Sequence, residues 1–130
     1  MRKSIRQKES GPKQIAVIEE TVDNIYSIKF VLQSLGYKVR SFSSRGSNQS
    51  SLIEFGPNLI IIDMMIPDGE AYRVIRSIRG SDLKKVPILA ITAEAMEGKE
   101  EDVYEAGGQD VLSKPYTVTD LQKKLKKWLA

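Results

Sequence analysis

Apolar residues along the chain follow two alternating rhythms. Short apolar runs recur, and between them apolar residues return at three- and four-residue spacing. The strongest run is Leu59-Ile60-Ile61-Ile62, bounded by Gly56-Pro57-Asn58 before it and by Asp63 and then Pro67-Asp68-Gly69 after it. A β-branched run between breakers predicts a strand buried on both faces, the kind found in parallel sheets covered by helices. Gln14–Ile18, Tyr37–Phe42, Val86–Thr92 and Asp110–Ser113 predict four more strands. Lys38 and Arg40 alternate with Val39, which puts Tyr37–Phe42 near an edge.

Helical spacing fills the intervals. Ile25, Ile28, Val31, Leu32 and Leu35 predict a helix over Thr21–Leu35, capped by Thr21 or Asp23 and stopped by Gly36. Ser43–Phe55 is a helix by position. Its propensity is poor across Gly46–Ser51 and only Leu52, Ile53 and Phe55 anchor it, so a short, mobile helix is expected. Ala71–Arg79 turns Tyr72, Val74, Ile75 and Ile78 inward and ends at Gly80-Ser81-Asp82. Glu97–Ala106 is polar apart from Val103, Tyr104 and Ala106, and stops at Gly107-Gly108. Thr119 is expected to cap a last helix, with Leu121, Leu125, Trp128 and Leu129 on one face and lysines on the other.

Strand followed by helix, five times over, predicts an α/β domain: a doubly wound parallel sheet with right-handed crossovers and helices on both faces. The expected arrangement is a (βα)5, flavodoxin-like sheet of order 2-1-3-4-5, with its switch point between the first and third strands. Residues 1–13 lack periodicity and contain Ser10-Gly11-Pro12, so they read as a basic tail before one domain over 14–130.

Composition then narrows the chemistry. The chain has no cysteine and no histidine. That removes disulfides, thiolates, Ser/His and Cys/His nucleophiles and the usual transition-metal sites. Any metal must be held by oxygen, which means a hard cation such as Mg²⁺. No apolar run approaches the ~18 residues of a membrane span. The N-terminus also lacks the apolar core of a signal peptide, so a cytoplasmic address is expected. The formal charge of +3 is uneven: +4 over residues 1–13, +3 over 117–130 and −4 between them. No aromatics interleave with the basic residues, which favours solvated ends over direct DNA binding.

In the expected topology, Glu19, Glu20, Asp63, Thr92 and Lys114 share the C-terminal edge of the sheet, where open α/β sheets bind ligands. Each alone has an ordinary structural explanation: a solvated pair, a turn-capping Asp, a turn hydroxyl, a surface Lys. Together they form one device. Three carboxylates can hold a divalent cation. An ammonium and a hydroxyl can bind phosphoryl oxygens, and the central carboxylate can act as a nucleophile that becomes an acyl phosphate.

Four pieces carry a resemblance to a known family: Val17-Ile18-Glu19-Glu20, Leu59 through Gly69, Ile88-Leu89-Ala90-Ile91-Thr92-Ala93, and Glu105-Ala106-Gly107-Gly108 through Ser113-Lys114-Pro115. In that order they resemble the receiver domain of bacterial two-component response regulators. The resemblance implies that Asp63 is the phosphoacceptor, that Glu19 and Glu20 help bind Mg²⁺, and that Met65 adds a backbone carbonyl to the metal. It implies that Thr92 binds a phosphoryl oxygen and moves, that Lys114 pairs with the phosphoryl group, and that Pro115 follows a cis bond. The implied donor is a phosphohistidine on a sensor histidine kinase or a histidine phosphotransfer protein, and the output is a downstream protein target.

The sequence departs from the family's pattern at three positions. Glu20 stands where Asp is usual, and Ala71 stands where Gly is usual. Val111 stands where the pattern has an aromatic that swings inward, which leaves that motion damped or carried by another residue such as Tyr116. The chain ends at Ala130, directly after the fifth helix, so a stand-alone receiver is expected. One alternative is a degenerate receiver acting as a phosphorylation-independent interaction module. Another is a phosphatase with an aspartyl nucleophile, but Met65 stands where that reading wants a second carboxylate.

Overall fold

The computed structural model describes residues 11–19, 22–44, 49–66, 69–93 and 99–129. Five strands alternate with five helices: β1 Gln14–Ile18, α1 Val22–Ser34, β2 Lys38–Phe42, α2 Gln49–Phe55, β3 Leu59–Asp63, α3 Glu70–Arg79, β4 Ile88–Thr92, α4 Lys99–Ala106, β5 Asp110–Ser113 and α5 Val118–Leu129. The strands are all parallel, in the order β2-β1-β3-β4-β5. This is the expected order, and β2 lies on an edge with alternating burial.

The strand alternation divides the core in two. Ala16, Ile18, Ile60, Ile62, Ile88, Ala90 and Val111 face one way, onto α2 (Leu52), α3 (Ala71, Ile75, Ile78) and α4 (Val103, Ala106). Ile15, Val17, Leu59, Ile61, Leu89, Ile91 and Leu112 face the other way, onto α1 (Ile28, Leu32) and α5 (Leu121, Leu125, Leu129). The period of two therefore splits the unbroken run of β3 between two cores, and all five of its residues are buried.

The helix starts differ from expectation in one informative place. α5 is capped by Thr117, not Thr119. Thr117 Oγ1 accepts from the Asp120 N–H at 3.0 Å, and Asp120 Oδ2 accepts from the Thr117 N–H at 3.0 Å. This reciprocal pair is a capping box, with Asp in the position usually held by Glu or Gln. Thr119 lies inside the helix, because the box needs an acceptor three residues before its acidic partner. The cap proposed for α1 at Thr21 or Asp23 lies outside the described side chains. The short helix expected before Phe55 is the seven-residue α2, anchored by buried Leu52 with Ile53 and Phe55 packed against the core.

At the N-terminal edge of the sheet the half-buried guanidinium of Arg79 ties the α3–β4 and α4–β5 loops together. Arg79 Nε donates to Gly107 O at 2.7 Å, Nη1 to Leu83 O and Lys84 O at 3.1 Å each, and Nη2 to the Gln109 side chain. Gln109 Oε1 also accepts from the Ile88 N–H at 2.7 Å. Burial pushes the Arg79 pKa down from its ordinary value. The rigid fork serves the Gly107, Leu83 and Lys84 carbonyls at once, Leu83 O also accepting from the Val86 N–H at 3.1 Å.

Candidate functional site

Parallel strands all end at one edge, so the residues that follow them converge there. β1 delivers Glu19, whose N–H donates to Phe42 O at 3.1 Å. β3 ends at Asp63, held by two flanking bonds: Met64 N–H to Ile91 O at 2.8 Å, and Met65 N–H to Asp63 Oδ1 at 2.9 Å. β4 ends at Thr92, whose carbonyl accepts from the Lys114 N–H at 2.7 Å. That bond carries the register Thr92–Ser113 one residue further and fixes where Lys114 leaves β5. The Lys114–Pro115 peptide is cis.

Glu19, Asp63 and Lys114 line one cavity of about 530 Å³, together with Val17, Ile61, Ile91 and Tyr116 among others. Glu19 and Asp63 are each only 5% exposed. Lys114 Nζ is 3.9 Å from Asp63 Oδ2. Two buried carboxylates beside one another need positive charge to offset their lost hydration. Among the described lining residues Lys114 is the only cation. The donors present are all oxygens, which suits a hard divalent cation.

Thr92 and Met65 line a neighbouring cavity of about 360 Å³, with Met64, Ala71, Tyr72, Ala93, Glu100, Val103 and Val111. The cavity lined by Asp63 lies on the α1–α5 side of the sheet, and the cavity lined by Thr92 on the α3–α4 side. Glu20 lies outside the described residues. Among the described residues no three carboxylates cluster as a metal site.

Tyr116 does not take the place left by Val111. Val111 packs in the α2–α3–α4 core, whereas Tyr116 packs against the α1–α5 core, on the other face of the sheet. Among the described residues, the aromatic ring that shares a cavity with Thr92 and Val111 is Tyr72. Burial, and then the charge of Asp102, push the Tyr72 phenol up from its ordinary value. Burial, then Asp63 and Glu19, do the same to Tyr116. Nothing in the spacing of the sequence separates these two tyrosines; only the face of the sheet does.

Sequence reasoning also passed over Asp110. It is buried at the start of β5, and its carboxylate accepts from Lys124 Nζ at 2.9 Å, Trp128 Nε1 at 2.9 Å and the Val111 N–H at 2.8 Å. Lys127 Nζ stands 3.7 Å away. The available signal was Lys124 and Trp128 four residues apart on one face of α5, which lets both reach a single acceptor.

The fold and site define a doubly wound α/β domain with an acidic, ammonium-bearing cleft at its topological switch point, a constellation suited to phosphoryl chemistry. The chain belongs to the response regulator receiver domain family, whose model matches residues 15–126, and so to the receivers of two-component signalling. The polar-differentiation response regulator DivK of Brucella anthropi is 26% identical over 119 residues, covering 91% of this chain and 97% of that protein. The chemotaxis protein CheY4 of Vibrio cholerae superposes with a TM-score of 0.83 over 92% of this chain and 100% of its own, at 22% identity. The receiver domain of the sensor histidine kinase PA1611 from Pseudomonas aeruginosa PAO1 superposes with a TM-score of 0.75 at 29% identity, covering 91% of this chain and 98% of its own. That structure has a magnesium ion coordinated in its active site cleft. These likenesses support phosphoacceptor signalling and do not favour the interaction-only alternative. Among the described residues no helix is long and apolar enough to cross a membrane.

Proposed function

We propose that Asp63 is the phosphoacceptor and that this receiver takes its phosphoryl group from a phosphohistidine on a sensor histidine kinase or a histidine phosphotransfer protein. The observation that carries this reading is the burial of Asp63 beside Glu19, with Lys114 Nζ at 3.9 Å. In the transfer the donor's N–P bond breaks and an O–P bond forms to Asp63, leaving a neutral imidazole on the donor. Lys114 offsets the charge gathering on the equatorial oxygens. Thr92, at the end of β4, would bind a phosphoryl oxygen. Glu19, Glu20, Asp63 and the Met65 carbonyl would hold Mg²⁺, which when bound supplies further charge neutralisation.

The chain then acts as a cytoplasmic signalling domain that catalyses at most its own phosphorylation and dephosphorylation. It passes the state of Asp63 to a downstream protein by a population shift. Direct DNA binding is not part of this reading.

The test is labelling with a small phosphoramidate in Mg²⁺. The expected product is one hydroxylamine-sensitive phosphoryl group per chain, absent from Asp63→Asn. Equal labelling of Asp63→Asn would overturn the assignment.

A further inference from the structure

Of the polar residues that line the cavity beside Asp63, one has no role in the transfer chemistry. Tyr116 lines it with Glu19, Asp63 and Lys114, while its ring rests against the apolar cluster beneath α1 and α5. It is half-buried, and it follows Lys114 by two residues across the cis Lys114–Pro115 peptide. One short loop therefore sets both the ammonium and the ring. Val17, Ile28, Ile61 and Ile91 form the apolar part of the lining, so the polar groups of the described lining gather around Asp63.

A space of about 530 Å³ has room for several waters. An acyl phosphate on Asp63 would stand against that space. Its hydrolysis is a displacement: a water oxygen bonds to phosphorus, the bond from phosphorus to Asp63 breaks with its electron pair returning to the carboxylate, and the water's proton leaves with inorganic phosphate or to solvent. The rate depends on how freely a water reaches phosphorus in line with the breaking bond.

Resting on the assignment of Asp63 above, we propose that Tyr116 is a positioning residue for this site: its ring, seated in the Asp63 cavity, keeps water from the acyl phosphate and sets its lifetime. The ring is the bulkiest side chain among the described lining residues. Its phenol stays neutral, since burial and the charges of Asp63 and Glu19 all disfavour the phenolate. Tyr116 therefore adds bulk next to the carboxylates without adding charge. Its place on the α1–α5 face separates this role from anything that happens in the Thr92 cavity.

The experiment loads wild type, Tyr116→Phe, Tyr116→Leu and Tyr116→Ala with the same small phosphoramidate in Mg²⁺. It follows loading and, after removal of donor, loss of label. Loading rates are expected within about twofold of one another, because no reacting group is altered. Tyr116→Phe should keep the wild-type lifetime. Tyr116→Ala should shorten it about fivefold or more, with Tyr116→Leu between them and still folded if Tyr116→Ala is not. Equal lifetimes in wild type and the smaller variants overturn the proposal alone. So does a Tyr116→Phe lifetime as short as that of Tyr116→Ala, which would assign the effect to the hydroxyl. No label on the wild-type chain overturns the assignment of Asp63, and this proposal with it.

Discussion

Lys114 Nζ stands 3.9 Å from Asp63 Oδ2, at the outer limit of an ion pair and well beyond a charge-assisted hydrogen bond. The ammonium is close enough to feel the carboxylate and, without bonding it directly, stays free to turn toward a phosphoryl oxygen carried on it. Lys114 keeps 31% of its side chain exposed, so the pair itself contributes under about 1 kcal/mol to folding. Lys114→Gln should therefore leave the melting temperature nearly unchanged while lowering the labelling rate of Asp63 roughly 100-fold, the scale of losing one charge-stabilising donor. Paired thermal melts and labelling time courses check this, and a melt that falls with the rate would make Lys114 structural.

Mg²⁺ should act at one end of the sheet only. Adding it should shift the amide signals of Glu19, Asp63 and Met65, the described residues proposed to hold it. Trp128 bonds Asp110 at the opposite edge, so its fluorescence should not respond. Asp63→Asn should weaken the amide response. An amide titration and a fluorescence titration on the same sample separate local binding from a global change.

Asp110 should make stability depend on acid. Burial by itself would raise its pKa, but the hydrogen bonds from Lys124, Trp128 and the Val111 N–H outweigh it and hold the carboxyl below its ordinary 3.8. Above that value both folded and unfolded chains carry the charge, and the stabilisation is fully present. As pH falls below it the unfolded chain takes up its proton first, so the advantage shrinks and is lost through the folded pKa. Urea unfolding of wild type and Asp110→Asn between pH 7 and pH 3 should show the two curves converging at the acid end.

Gly107 and Arg79 should be coupled. Gly107 has φ +119, and a Cβ built there would lie 2.4 Å from Arg79 Cγ. Gly107→Ala should cost about 1–3 kcal/mol from backbone strain, with the clash added. Arg79→Ala should cost about 2 kcal/mol by stripping donors from the Gly107, Leu83 and Lys84 carbonyls. The double variant should cost less than the sum, since the clash disappears with the side chain. Additivity in a denaturant-unfolding cycle would refute the coupling.

The candidate site was legible wherever local pattern and strand direction were enough. Asp63 and Thr92 end strands, Glu19 and Lys114 directly follow strands, and parallel strands must end together. Tyr116 and Asp110 were not legible in that way. The place of Tyr116 depends on which face of the sheet its loop turns toward, which put it in the Asp63 cavity and not behind Val111. The place of Asp110 depends on α5 laying Lys124 and Trp128 over the start of β5.

By itself the sequence determined the alternation of strands and helices, the parallel order β2-β1-β3-β4-β5 and the edge at which the chemistry gathers. Those follow from hydrophobic period, breakers and the handedness of crossovers, all of which act over a few residues or on whole elements. The tertiary structure decided distances and sides: Lys114 3.9 Å from Asp63, Thr92 and Tyr116 in separate cavities, Thr117 in place of Thr119 as the cap of α5. Such facts depend on the packing of side chains from elements far apart in the chain. A period of two or of 3.6 says which face a residue shares, not what stands across from it.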